Sequence, residues 1–357
     1  MSSNIGFADL NADGRLLGTY NFVERTEDVT GTGSHGSRTL SDMAGFIENE
    51  FVGTAPGASY YLFRTEFGPT EVPVEEAYWV EALERADSLG VDVVNTSLGY
   101  QDYDNPNYDH SYADLDGLTT FAARGANLAF EKGMLLVTSA GNDGNGFGFV
   151  ATPADAAGVL TVGAVDSNGN YASFSSFGPN SAGVIKPDVM AKGASAAVID
   201  QNGNVTTNSG TSFSSPIMAG VVASLWERRP ETTNEELMQI IRESSSTFNN
   251  PTSEFGYGIP NFEDAFAALS LLSVEDVLKE NNFGIYPNPV QDKVFVSFPK
   301  GYEKATITLY NILGKEVLTG TITSQENTMT VSELATGMYL ARIESGSIAT
   351  SFKLIKK

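Results

Sequence analysis

Apolar positions in the first three quarters of the chain alternate between short β-rich runs and longer helical stripes. Residues 59–63 (SYYLF) form one such run. After it, residues 75–88 place Ala77, Val80, Ala82 and Leu83 on one helical face, and Gly90 closes that helix. Residues 91–97 (VDVVNTS) predict a second strand, 118–132 a helix closed by Gly133, and 134–140 (MLLVTSA) and 159–165 (VLTVGAV) two further strands. Strands separated by helices of 10–15 residues imply βαβ units and a parallel sheet covered on both faces. In such sheets, chemistry collects beyond the carboxyl ends of the strands.

The pattern changes near the end of the chain. Residues 293–298, 305–310, 316–321, 328–331, 338–343 and 350–355 are short β-rich runs split by Gly, Pro and Asn, with no helical stripe between them. They predict a small antiparallel sandwich of about 80 residues. The division expected is 1–272 for the α/β unit, 273–282 for a linker and 283–357 for the all-β unit. Charge divides at the same place. From Glu275 onward nine Lys/Arg balance nine Asp/Glu, so the net charge of −23 falls on residues 1–274. So acidic a surface disfavours nucleic acid and anionic membrane as partners. No apolar run reaches the length of a transmembrane helix, and residues 1–4 open no signal peptide. The absence of cysteine excludes disulfides, thiolate metal sites and a Cys nucleophile.

With only two histidines, His35 and His110, any imidazole base is one of these two. His35 lies in a glycine-flanked segment, Gly33-Ser34-His35-Gly36-Ser37, that opens a helical stretch over 37–47. A second segment, Ser139-Ala140-Gly141-Asn142-Asp143-Gly144, ends the MLLVTSA strand, and a third, Gly210-Thr211-Ser212-Phe213-Ser214-Ser215-Pro216, opens an apolar helix. A serine at a helix N-terminus could simply cap it. It is also well placed as a nucleophile, because free backbone N–H groups and the helix dipole stabilise the oxyanion it generates. Its hydroxyl needs a base, which His35 can provide, and the Asn142 amide can donate to the same oxyanion. The stretch 102–116, with Asp102, Asp104, Asp109, His110, Asp114 and Asp116, lacks the glycine and terminal glutamate of a calcium loop and reads as a solvated acidic loop, a structural Ca²⁺ being the other reading.

In this order, the His-Gly-Ser, Ala-Gly-Asn and Gly-Thr-Ser-x-x-Ser-Pro segments resemble the subtilisin-like serine proteases. Gly53-Thr54-Ala55-Pro56, Asn95-Thr96-Ser97-Leu98-Gly99, Val162-Gly163-Ala164-Val165 and Lys186-Pro187-Asp188-Val189 extend the resemblance over roughly residues 30–270. It implies a three-layer α/β/α fold and a secreted endopeptidase acting on polypeptides through an acyl-enzyme, with no redox cofactor or catalytic metal. By this resemblance His35 is the general base, Ser212 the nucleophile, and Asn142, with the Ser212 backbone N–H, the oxyanion hole. Ser97, Leu98 and Gly99 would form the edge on which substrate lies, and Ala140 and Gly141 the facing wall of the specificity pocket.

One part of the pattern is not found. The resemblance requires an Asp at the end of the first core strand, whereas the carboxylates before His35 are Asp9, Asp13, Glu24, Glu27 and Asp28. Of these only Asp9, after Ile5-Gly6-Phe7-Ala8, imitates a strand end, so the expectation is that the strand and its Asp lie upstream of Met1. The alternative is a catalytically impaired subtilase-like protein that binds or scaffolds. The all-β segment has its own resemblance: Tyr286-Pro287-Asn288-Pro289, Tyr310-Asn311-Ile312-Leu313-Gly314-Lys315, Leu334-Ala335-Thr336-Gly337-Met338-Tyr339 and Phe352-Lys353-Leu354-Ile355-Lys356-Lys357 are similar to the type A C-terminal sorting domain of the type IX secretion system of Bacteroidetes. That implies recognition by the type IX machinery through residues 283–357 and a secreted or cell-surface destination.

Overall fold

A computed structural model describes residues 4–357, except 32, 69, 145, 280–282, 300 and 347; in 271–279 and at 348 only the backbone is described. Two units are resolved, residues 1–267 and 268–357. Among the described residues no helix is long and apolar enough to cross a membrane.

The first unit opens with a short helix α1 (Ala8–Ala12) and strand β1 (Leu16–Asn21). Then come α2 (His35–Ala44), the hairpin β2 (Phe46–Ile47) and β3 (Phe51–Val52), β4 (Tyr60–Arg64), α3 (Val74–Ser88), β5 (Val93–Thr96) and α4 (Phe121–Glu131). The strands β6 (Leu135–Ser139), β7 (Val159–Val165) and β8 (Val189–Lys192) precede a hairpin of β9 (Ala196–Ile199) and β10 (Val205–Asn208). Helices α5 (Thr211–Glu227) and α6 (Asn234–Glu243) and the start of α7 (Phe262–Lys279) complete it; α7 runs across the division after residue 267 and through most of the segment expected as linker, and residues 280–282 lie outside the described residues.

The parallel strands form two sheets, β1-β4 and β5-β6-β7-β8. Every residue of β6 and β7 is buried, as strands covered on both faces should be. Trp79, Leu83 and Ala86 of α3 pack with Ala122, Ala123, Ala126 and Ala129 of α4 in one core cluster with Leu136 and Val159. Against the sheet also lies α5, most of whose residues are buried. The chain around α1 differs from the strand that residues 5–9 weakly suggest. Asn4 accepts a hydrogen bond from the Gly6 N–H and starts a 3-10 turn that runs into α1, whose Leu10 packs with Phe7 against Leu40 and Ala44.

One buried ion cluster of the unit is densely partnered. The fully buried Lys186 donates to the Val159 carbonyl (2.7 Å), Thr161 Oγ1 (3.1 Å) and Asp188 (2.8 Å). Asp188 also accepts from the Thr161 N–H (2.8 Å) and from both Nε and Nη2 of Arg242 on α6 (2.9 and 2.5 Å). Near α3, Glu66 takes a hydrogen bond from the Tyr100 hydroxyl at 2.9 Å. Burial, and then the neighbouring Glu75, lift its pKa to about 7 from an ordinary 4.5. A carboxyl that ionises later in the fold than in the unfolded chain makes stability fall as pH rises across that interval. Glu66→Gln should therefore raise the melting temperature at pH 8 by ~2–4 °C, for about 1 kcal/mol, with the gain vanishing below pH 4.5; thermal melts at the two pH values check this.

The second unit is antiparallel. Strands β11 (Gly284–Tyr286), β12 (Lys293–Ser297) and β15 (Thr328–Thr330) form one sheet, and β13 (Lys304–Asn311), β14 (Glu316–Thr323), β16 (Gly337–Ser345) and β17 (Ile348–Lys356) the other. Alternating side chains of both sheets, among them Val294, Val296, Ile307, Leu309, Ala341, Ile343 and Leu354, meet in one core. This is the sandwich that the alternating runs predict.

Candidate active site

The three motif segments lie at the carboxyl ends of strands or the amino ends of helices and line one cleft of ≈ 2250 Å³. His35 begins α2, Ser212 is the second residue of α5, and Asn142 follows β6. The turn into α5 depends on Gly210, whose φ of 152° and ψ of 151° fall where only glycine is comfortable. Gly141, at φ 106°, makes the corresponding turn before Asn142, and a Cβ there would meet Ser176 Oγ at 2.8 Å.

The Asn142 amide is oriented by its neighbours. The Thr211 backbone N–H donates to Asn142 Oδ1 at 2.8 Å and the Thr211 hydroxyl lies 3.1 Å from the same atom. A backbone N–H can only donate, so this atom is the carbonyl oxygen, and the amide nitrogen has no hydrogen-bond partner among the described residues. Thr211 Oγ1 also donates to the Gly141 carbonyl at 3.1 Å, tying the Asn142 turn to the helix that carries Ser212. Ser97 Oγ donates to the Ser212 carbonyl at 2.9 Å, and Ser212 Oγ reaches the Ser97 carbonyl at only 3.4 Å, so the Ser212 hydroxyl is loosely held. One turn further along α5, Ser215 Oγ donates to Asn95 Oδ1 (2.7 Å) and the Val137 carbonyl (3.2 Å), pinning the helix start to β5 and β6.

His35 opens onto the cleft with its ring 5.9 Å from that of Phe213, edge to face. No hydrogen bond joins it to Ser212. The surrounding protein and then the Arg38 guanidinium lower its pKa, so the imidazole is held neutral, as a base must be. Among the described residues, no carboxylate is one of the groups that shift it. Asp9 sits exposed on α1 and is not among the groups that perturb His35. The other histidine is committed elsewhere: His110 Nε2 lies 2.7 Å from Glu76 Oε1, which also accepts from the Tyr103 hydroxyl.

Ser97, Leu98, Gly99 and Gly141 line the same cleft, whereas Ala140 is fully buried with Val150 and Ala154 and stands behind it. Sequence reasoning did not single out Thr211 or Ser215 as positioning groups. Their signal lay in the string of hydroxyl residues at 209–215, more than capping alone requires. Three carboxylates of the 102–116 loop are engaged in local turns: Asp109 accepts from the Tyr103 N–H, Asp114 from Ser111, and Asp116 from Leu118 and Thr119. The acidic side chains close enough to share an ion, among the described residues, are Glu66, Glu71 and Glu75.

Comparison with known proteins follows the same lines. The subtilase family model matches residues 4–258, and the secretion system C-terminal sorting domain matches 284–357. The chain is 30% identical to subtilisin DY of Bacillus licheniformis, over 71% of this chain and 84% of that protein. With the serine protease AprX of Bacillus subtilis (strain 168) it shares 27% identity over 71% of its own length. It spans 62% of AprX and 56% of the M-protease of Shouchella clausii (strain KSM-K16). Among solved structures, the prenylagaramide maturation protease PagA aligns with a TM-score of 0.58 at 24% identity, covering 75% of this chain and 89% of that one. The self-cleaved protease domain of PatA aligns at 0.54 and 26%, covering 66% and 83%. With motif order, fold and family match in agreement, the chain belongs to the subtilase family of serine proteases and carries a secretion system C-terminal sorting domain.

Proposed function

We propose that the first unit is a serine endopeptidase that cleaves polypeptides through an acyl-enzyme on Ser212, and that residues 283–357 direct it through type IX secretion to the outside of the cell. In this mechanism His35 removes the Ser212 proton as Oγ attacks the scissile carbonyl, then returns it to the leaving amine. The developing oxyanion is met by the Ser212 backbone N–H and the Asn142 amide nitrogen. An extended substrate would pair along residues 97–99 as an added strand, with its backbone hydrogen bonds satisfied there.

The observation that carries this reading is the arrangement at the start of α5: a loosely held serine hydroxyl beside an asparagine whose carbonyl is fixed by Thr211, with its donor left over. The missing carboxylate bears on rate. An orienting acid in a serine protease is worth about 10⁴-fold, so residues 1–357 alone should acylate slowly. A fluorophosphonate probe supplies a reactive phosphorus in place of the carbonyl and tests the nucleophile directly. The expected result is one label per chain, located at Ser212 by peptide mass spectrometry and absent from Ser212→Ala. A folded protein that stays unlabelled over days at millimolar probe would overturn the assignment and favour a binding role.

A further inference from the structure

Helix α2 begins with His35 and three residues later carries Arg38. Arg38 Nη1 donates to Asn208 Oδ1 at 2.8 Å, and Nη2 reaches Gln201 Oε1 at 3.4 Å. Asn208 ends β10, four residues before Ser212, and Gln201 lies in the turn between β9 and β10. One turn along α2, Ser41 Oγ accepts from the Ile199 N–H at 2.9 Å, so the hairpin is fixed to α2 at two points. The stretch between Asn208 and Ser212 is also held from residues 193–195. The Gly210 N–H donates to the Gly193 carbonyl at 2.9 Å, and Ser209 Oγ accepts from the Ser195 N–H at 3.0 Å. Because no hydrogen bond joins His35 to Ser212, their approach is set by what ties α2 to the chain entering α5. Arg38 makes that tie just before the turn at Gly210. Its Nε is buried with no partner among the described residues, which costs stability, so its placement beside the site is not explained by stability alone.

We infer that Arg38 is a positioning residue of the active site: by clamping Asn208 it sets where the chain entering α5 presents Ser212 to His35. This deepens the proposed peptidase reading and rests on it. The same guanidinium has a second effect, on the ring itself. Burial lowers the His35 pKa most, and Arg38 follows as the charge that acts on it. Asp28 on the chain before α2, Arg64 of β4 and Asp143 after Asn142 also line the cleft, and α5 faces the ring with Phe213, yet none of these is among the groups that shift it. Arg38 thus keeps the imidazole neutral and ready to take a proton down to lower pH, while disfavouring the imidazolium that forms afterwards. A lysine keeps the charge but not the planar fork, so Arg38→Lys separates the two effects.

Two kinds of readout on the full chain test this. In fluorophosphonate labelling at pH 8.5, where the imidazole is neutral in every variant, Arg38→Met and Asn208→Ala should each react at Ser212 about 10-fold more slowly. The double variant should be no slower than either, because both cut one link. Arg38→Lys should recover part of the rate, and the melting temperature of Arg38→Met should hold or rise, since a buried unpaired donor is removed. The other readout needs no turnover. With only two histidines in the chain, the His35 ring is followed by NMR against pH and assigned with His110→Gln. Arg38→Met should move its titration upward toward the ordinary 6.5, whereas Arg38→Lys and Asn208→Ala should leave it in place. A wild type that never labels would sink the peptidase reading, yet hydrogen exchange at the amides of 209–212, about 10-fold faster in Arg38→Met and Asn208→Ala, would still support the clamp. Exchange left unchanged in Arg38→Met, rate losses that multiply in the double variant, or a rate loss matched by a fall in melting temperature would each overturn it. An unmoved His35 titration would overturn the effect of the charge.

Discussion

Asp188→Ala is expected to cost roughly 3–5 kcal/mol of unfolding free energy, the range for breaking a buried ion pair from one side. The carboxylate serves three donors from three parts of the fold: Lys186 just before β8, the Thr161 N–H in β7 and Arg242 on α6. Its removal strands a fully buried ammonium and a buried backbone N–H, whereas Arg242, partly exposed, can turn to water. Asp188→Asn keeps an acceptor for Thr161 and should lose less. The flanking cations hold the Asp188 pKa low against the effect of its burial. Its contribution is therefore fully present above the ordinary carboxylate pKa near 3.8 and is lost as pH falls through the lower folded value. Urea unfolding at pH 7 should show the large difference between wild type and Asp188→Ala, and the gap should narrow only in strong acid. A loss below 1 kcal/mol would mean that the network is replaceable.

The same network shows what a single sequence can and cannot disclose. Lys186-Pro187-Asp188-Val189 is visible as a family-like segment, but nothing local says that a lysine and an aspartate two positions apart are both buried. That depends on α6 bringing Arg242 across some fifty residues. Helix α6 itself was not anticipated, although Thr233 and Glu236 form a reciprocal capping box at its start. The long apolar runs fared better: 134–140 and 159–165 are β6 and β7, because strands covered on both faces need no polar alternation. Strand β1 escaped notice for the opposite reason. Its run LLGTYN is short and contains Gly18, and its strand character comes from pairing with β4. Residues 5–9 look weakly strand-like only until the Asn4 cap and the packing of Phe7 and Leu10 are known. Likewise, motif order picks out His35, Asn142 and Ser212, which line one cleft, whereas the break between β4 and β5 is a property of the whole sheet.

The largest effect on chemistry is expected at Asn142, and the choice of substitution separates its two duties. The side chain holds the α5 start through Thr211 with its oxygen, and in the proposed mechanism it offers the oxyanion a hydrogen with its nitrogen. Asn142→Ala removes both, so a slow variant would not reveal which mattered. Asn142→Asp keeps an oxygen for the Thr211 N–H but replaces the donor with a second acceptor bearing negative charge. If the amide stabilises the transition state, kcat for hydrolysis of a peptide anilide should fall by about 10²–10³ in Asn142→Asp, with KM little changed and the melting temperature retained. The two-sided logic makes the outcome decisive. A fall in melting temperature matching the loss of rate would assign Asn142 to positioning Ser212. An Asn142→Asp variant as fast as wild type would remove the amide from the oxyanion site and leave the Ser212 backbone N–H as its donor.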